Sequence, residues 1–268
     1  MFNRFYLISF ILFLLSGLLG CVTSEYNLAT RKQELYIYST EKEQVMGYNL
    51  SKEVEKEFKV LDDSFVQERV NQIGQRIAEV CDRKDLRYHF KVLKVDEVNA
   101  FALPGGYVYV FKGMLDKIGD DDDELAGILA HEVAHITARH AIKKLQAMWG
   151  YMLARVLVAS TPQTGNVGQG IDVAFNQILL GYSKEDEYQA DKLGAKYMLK
   201  AGYNPDKMIA LLNRLHKINQ RGPTRPFSYD RTHPFTSERI AAVKHAMGKG
   251  VDFDDYLNLE AMPGRVSQ

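Results

Sequence analysis

The segment DDDDELAGILAHEVAHITARHAIKKLQAM, residues 120–148, constrains the fold more than any other stretch of the chain. Its four aspartates suit a helix start, where carboxylates accept from free N–H groups and complement the dipole. An apolar-periodic run follows, so the spacing predicts a helix from about Asp122 to about Met148. His131, Glu132 and His135 sit mid-helix. Residues four apart share a helical face, so both imidazoles can converge on one metal ion, while Glu132, one step round, can reach a metal-bound water without ligating. In this H-E-x-x-H arrangement zinc acidifies the water and the glutamate takes its proton. The competing reading is a short pattern arising by chance on a solvated helix.

A catalytic zinc needs three protein ligands and an open position. The metzincin continuation does not supply the third, because Ala138 and Ala141 occupy its last two positions. On a continuous helix His140 points well away from His135, so it reads as structural. YSKEDEYQADKLG, residues 182–194, holds Glu187 and Asp191 four apart. One carboxylate there can ligate zinc while the other hydrogen-bonds the outer nitrogen of a ligand histidine; a solvated charged face is the plain alternative.

The remainder reads as scaffold. Helices are expected from about Glu41 to Phe58, through Val45, Leu50, Val54 and Phe58, and from about Asp63 to Val80, with Phe65, Val66, Val70, Ile73 and Ile77 on one side. YHFKVLKV (88–95) and GYVYVFKGML (106–115) read as strands separated by the Pro-Gly-Gly turn of NAFALPGG, giving one small sheet. MWGYMLARVLVA (148–159) reads as core. A loop over 161–170 precedes a helix to about Leu180. Ser183, with Asp186 three residues on, caps a helix that Gly202 ends. Further helices are expected from Pro205 to about Asn219 and over SERIAAVKHAM, with a loop from Arg221 to Asp230 between them. The fold class is therefore α+β and mostly helical. With 46% hydrophobic residues a sizeable core is available, and 34 basic residues against 34 acidic ones exclude the basic excess that nucleic acid demands.

The first twenty residues carry one charge, Arg4, before an apolar run from Phe5 to about Leu19, too short for a spanning helix and suited to a secretory leader. LLGC, residues 18–21, is similar to a lipobox, so residues 1–20 are expected to be a lipoprotein signal, Cys21 the lipidated residue and 21–40 a tether. An ordinary signal peptide or uncleaved anchor is the alternative. Val22 after the cysteine favours the outer membrane by resemblance to Gram-negative sorting rules. Cys81, the only other cysteine, reads as a buried small hydrophobe.

NAFALPGGYVYV, HEVAHITARH, EYQAD and RTHPFTSERI, in that order, resemble the zinc metallopeptidase family that contains HtpX and the CAAX prenyl protease, and most closely its soluble BepA- and LoiP-like envelope branch. The resemblance runs from about Glu41 to about Met247. It implies a zincin-type domain over 41–268 holding one Zn2+ on His131, His135 and Glu187, with Glu132 as general base and Asp191 supporting a ligand histidine, His131. It further implies that Gly106, Tyr107, Val108 and Tyr109 lie on an edge strand that pairs with extended substrate beside the cleft, an ordinary sheet strand being the alternative. His233 would approach the zinc as a fourth ligand or as an oxyanion stabiliser, with Arg239 as a nearby oxyanion or substrate contact. The expected activity is endopeptidase cleavage of unfolded or misassembled envelope proteins, at a membrane reached through acylated Cys21. The alternative is an envelope chaperone or binding module with a latent or structural zinc. The spanning helices of the integral-membrane relatives and the C-terminal repeats of BepA-like proteins have no counterpart in this sequence, which argues against intramembrane substrates and repeat-mediated recruitment.

Overall fold

Helix starts follow local capping chemistry. Ser39 accepts from the Lys42 N–H, Asp63 from those of Phe65 and Val66, and Asp121 from that of Glu124, which sets the starts of α1 (Thr40–Glu57), α2 (Ser64–Val80) and α4 (Asp122–Thr137). The computed structural model describes residues 22–158, 181–220, 229–234 and 237–250. The leader with Cys21, the loop and helix expected over 161–180 and most of the 221–230 loop lie outside these residues. Among the described residues the remaining elements are β1 (Thr23–Asn27), β2 (Lys32–Tyr36), β3 (His89–Leu93), β4 (Ala100–Leu103), β5 (Tyr107–Phe111), α3 (Lys112–Ile118), α5 (His140–Val158), α6 (Lys184–Ala201), α7 (Asp206–Gln220), a helical turn Tyr229–Thr232, and α8 (Ser237–Ala246). The architecture is α+β and mostly helical.

Strands β3, β5 and β4 form one sheet in that order, β5 running parallel to β3 and antiparallel to β4. Alternation along β5 places Val108 and Val110 with α2 and α4 in the larger core, which includes Val70, Ile73, Ile77, Leu125 and Leu129. Tyr109 and Phe111 face the other way, onto Leu50 and Val54 of α1 and Leu145 of α5. Tyr107–Phe111 is thus the central strand, which corrects the edge-strand expectation for Gly106, Tyr107, Val108 and Tyr109. Both rows of its peptide groups are taken, by β3 on one side and by β4 on the other. The wholly apolar Ala100–Leu103, with no alternation to mark it, is a strand that pattern reading missed. Gly105 and Gly106 turn the chain between β4 and β5 at φ 77° and 102°; a Cβ on Gly106 would stand 2.3 Å from the Arg87 carbonyl oxygen.

Residues 22–40, expected to be a tether, instead fold as the β1–β2 hairpin against the domain. Polar contacts to α5 hold it: Lys143 Nζ lies 2.7 Å from Glu34 Oε1, and the Gln146 side chain accepts from the Ile37 N–H and donates to the Leu35 carbonyl. These pairings need partners more than a hundred residues away, so nothing local announces them.

The expected continuous helix from Asp122 to Met148 breaks at Arg139, whose φ is 57°. A left-handed non-glycine residue costs on the order of 1–3 kcal/mol and persists only when its surroundings fix it. Arg139 is so fixed. Its Nε lies 3.0 Å from Glu43 Oε2, its Nη1 donates to Glu25, its Nη2 to the Tyr38 carbonyl, and its guanidinium lies 3.7 Å from the Tyr36 ring centroid. Arg83 completes the cluster on Glu43, at 2.9 and 3.0 Å. Three apolar residues depart from their spacing: Val45 and Phe65 are exposed, and Trp149, expected in the core, is 44% exposed. Among the described residues no helix is long and apolar enough to cross a membrane.

Candidate metal centre

Helix α4 is buried on every side from Glu124 to Thr137, so His131, Glu132 and His135 sit in the interior with at most 1% exposure. Helix α6 lies directly against it: a Cβ on Gly194 would stand 3.2 Å from the His131 backbone nitrogen. The Ser183–Asp186 capping box starts α6 and Gly202, at φ 82°, ends it, which presents Glu187 and Asp191 toward α4. His233, just after the turn Tyr229–Thr232, closes the group from the opposite side, its ring stacked on Tyr229 at 4.6 Å. The structure therefore brings together the histidines, Glu187 and Asp191 that the sequence singled out.

Four candidate ligand residues converge. His131 Nε2 lies 3.0 Å from His135 Nε2, 3.4 Å from Glu187 Oε2 and 3.2 Å from His233 Nδ1; His135 Nε2 is 3.4 Å and His233 Nδ1 3.0 Å from Glu187 Oε1. A tetrahedral ion with ligands at about 2.0–2.1 Å separates its ligand atoms by about 3.3 Å, so the donor set has the size a zinc-like cation needs.

The outer nitrogens say the same. Asp191 Oδ1 lies 2.9 Å from His131 Nδ1, an ion-pair separation that favours a proton on that nitrogen. His140 Nε2 faces two acceptors, Gln189 Oε1 at 2.9 Å and Asp186 Oδ1 at 3.4 Å, so its proton resides on Nε2 and its Nδ1 lone pair meets His135 Nδ1 at 2.9 Å. His135 then donates outward from Nδ1. With both outer positions protonated, the inner nitrogens of His131 and His135 need a cation between them, a proton or a metal ion. Burial opposes a charge on His131, yet Asp191 and Glu187 overcome it and raise this imidazole to about 9, a measure of how strongly the cavity demands positive charge. Burial also favours a raised Glu187 carboxyl, but His233 and Arg239 hold it well below the carboxylate range. His135 is lowered well below its usual value by burial. These residues fit a metal ion, and the donor chemistry, three imidazoles plus a carboxylate, suits a zinc-like cation.

Glu132 stands apart from the ligand set. Burial raises its carboxyl, and neither oxygen accepts a well-formed hydrogen bond among the described residues; its nearest recorded partner is His233 Nε2 at 3.3 Å. An orphaned buried carboxylate beside a cation site is suited to holding and passing a proton.

Arg239 departs from the expected oxyanion or substrate contact. Its Nε and Nη2 clamp Asp191 at 2.7 and 2.8 Å, and its Nη1 lies 2.9 Å from Glu187 Oε2 and donates to the His233 carbonyl. At 1% exposure it is a brace for two carboxylates and the His233 backbone. His140 also departs from expectation, because the break at Arg139 swings it back to His135 rather than away. Gln189 and Tyr182, whose ring stacks on His135 at 4.0 Å, were missed. The position of Gln189 within EYQAD was the one available signal.

The sequence matches the profile described as Peptidase family M48 over residues 64–247. It is 28% identical over 196 residues to the beta-barrel assembly-enhancing protease of Escherichia coli (strain K12), covering 69% of this chain and 40% of that protein. To the mitochondrial metalloendopeptidase OMA1 of Schizosaccharomyces pombe it is 31% identical over 176 residues, 65% of this chain and 51% of the relative. To the metalloprotease YcaL of Escherichia coli (strain K12) it is 24% identical over 193 residues, 69% and 74% of the two chains. The chain spans well under half the length of the first of these relatives.

Proposed function

The chain belongs to peptidase family M48, and from that premise we propose that it is a zinc endopeptidase of the bacterial envelope acting on unfolded or misassembled proteins. The observation that carries the reading is the convergence of His131, His135 and Glu187 at ligand separations, with the unpaired, buried Glu132 beside them. A bound zinc ion supplies Lewis acidity for a peptide carbonyl and a lowered pKa for water. Glu132 takes the proton of the attacking water and returns it to the leaving amine, a duty its burial-raised carboxyl suits. Asp191 and His140 keep the ligand histidines in their inward-facing tautomers, and Arg239 keeps both carboxylates ionised.

Extended substrate pairs with β4 rather than β5. The outer edge of β4 forms no ladder among the described residues, and Ala102 to Pro104 line a small cavity with His135 and Tyr182. We read His233 as the fourth donor of a latent enzyme, rather than as an oxyanion stabiliser, because its Nδ1 sits among the other three donors; on that reading activity requires withdrawal of the segment that carries it. The family's relatives support a proteolytic task, and the leader ending in LLGC supports anchorage through acylated Cys21 at the periplasmic face of the outer membrane.

The buried four-donor set also favours a second reading, a chaperone or binding module with a closed structural zinc. X-ray absorption of the zinc protein, beside hydrolysis of unfolded casein by wild type and His233→Ala, separates the two. Four protein ligands in the wild type with faster cleavage in His233→Ala supports the latent peptidase. No cleavage by either chain supports the module.

A further inference from the structure

The β1–β2 hairpin has two faces of opposite chemistry. Its inner face carries Glu25 and Glu34, both neutralised, by Arg139 and Lys143. Its outer face carries Tyr26 and Leu35 with the hydrogen-bonded, uncharged pair Ser24 and Gln33 beside them, and the flanking Val22 and Ile37 continue it by alternation. Val22, Tyr26, Leu35 and Ile37 are between 41% and 66% exposed. Trp149 of α5 extends the patch: it lies one turn beyond Gln146, which holds the Leu35 and Ile37 backbone. At the hairpin tip, the exposed Arg31 and Lys32 side chains have no ion pair among the described residues.

Two aromatics with polar tips, three aliphatics and the uncharged Ser24–Gln33 pair, bordered by a basic tip where Arg31 is in the turn and Lys32 lies by register on the Glu34 face, suit a surface that rests in the headgroup region of a bilayer. What covers this face follows from the residues before it. The apolar run Phe5–Leu19 ends three residues before Val22, and Cys21 is the immediate neighbour of Val22, about 3.8 Å away along the chain. With the apolar run kept as an anchor or with lipid on Cys21, the anchorage proposed above, Val22 is held at the membrane surface. A hairpin starting there has no slack to hold its apolar face away from the lipid.

We propose that the outer face of the β1–β2 hairpin, with Trp149, is a membrane-docking surface that lies on the bilayer and fixes the orientation of the catalytic domain above it. The inference rests on the anchorage proposed for this chain. A flexible tether would let the domain tumble; a docked hairpin, tied to Arg139 at the start of α5, would not.

Trp149 is the only tryptophan, so its fluorescence reads the contact directly. The full chain would be reconstituted in vesicles of phosphatidylethanolamine and phosphatidylglycerol, with or without lipid carrying a doxyl quencher near the headgroup, and its sedimentation with vesicles followed in parallel. The expected result is co-sedimentation, a blue-shifted emission, and loss of that emission to the shallow quencher. Leu35→Ser with Ile37→Ser should abolish quenching while sedimentation and Tm stay unchanged, because both residues are exposed. Arg31→Glu with Lys32→Glu should weaken quenching in anionic vesicles more than in neutral ones. Co-sedimentation with unquenched Trp149 would overturn the docking surface while leaving the anchor intact, and burial of Trp149 in a dimer instead would assign the face to a second copy. Failure to sediment would remove the anchor and the inference with it.

Discussion

Replacing His140 with alanine should weaken metal binding without unfolding the protein. In the wild type His135 donates from Nδ1 to His140, which donates in turn toward Gln189 and Asp186, and His135 and His140 are each 1% exposed. Alanine leaves the His135 donor buried and without an acceptor, which costs about 1–3 kcal/mol. The unpaired ring can instead place its proton on Nε2, where the metal binds, so that cost falls on the metal-bound state. At about 1.4 kcal/mol per factor of ten, zinc affinity should fall roughly 5- to 150-fold, in line with the about 10- to 100-fold seen when a ligand histidine loses its outer partner. Competition against a chromophoric chelator measures the affinity, and melting of the metal-free protein controls for the fold. His140→Asn, whose amide oxygen can accept from Nδ1, should recover part of the loss. Unchanged zinc affinity in a folded His140→Ala protein would refute the reasoning, as would a loss confined to the metal-free melting temperature.

Gly47→Ala should destabilise the fold by about 1–3 kcal/mol, because the new methyl would stand 1.9 Å from the Pro104 carbonyl oxygen and push the turn after β4 off α1; denaturant unfolding measures it, and a neutral result would contradict the packing. Glu43→Gln strands Arg83 and Arg139 on a group 1% exposed, for which about 3–5 kcal/mol is expected, or on the order of 10 °C in Tm for a chain of this size; a shift under about 2 °C would contradict the buried cluster. The Cys81 thiol, pushed up by burial, should resist thiol reagents in the native protein and label only on unfolding, read by mass mapping of its peptide.

The helix starts were legible because they are local: Asp63, Asp121 and the Ser183–Asp186 box each act within three residues. The spacing of His131 to His135 and of Glu187 to Asp191 was legible for the same reason, since a helical face is set by the backbone repeat. What escaped reading depends on distant partners. The break at Arg139 has neither glycine nor proline to mark it and exists because Glu43, Glu25 and the Tyr38 carbonyl hold one guanidinium. The role of His140 was hidden behind that break. Strand β4 is four apolar residues that only the sheet order identifies, and its omission moved the edge to β5. Phe65, at the first turn of α2, matches the apolar spacing yet is 80% exposed, outside the core it was expected to join.

The central claim is that one zinc ion on His131, His135 and Glu187 works through Glu132. The most direct measurement is metal content together with casein hydrolysis on the same preparations of wild type and Glu132→Gln, each also carrying His233→Ala so that latency does not mask turnover. Zinc near one per chain in both, with cleavage confined to the chain that retains Glu132, is the predicted result. Equal cleavage by both chains, or no stoichiometric metal in either, would contradict the account.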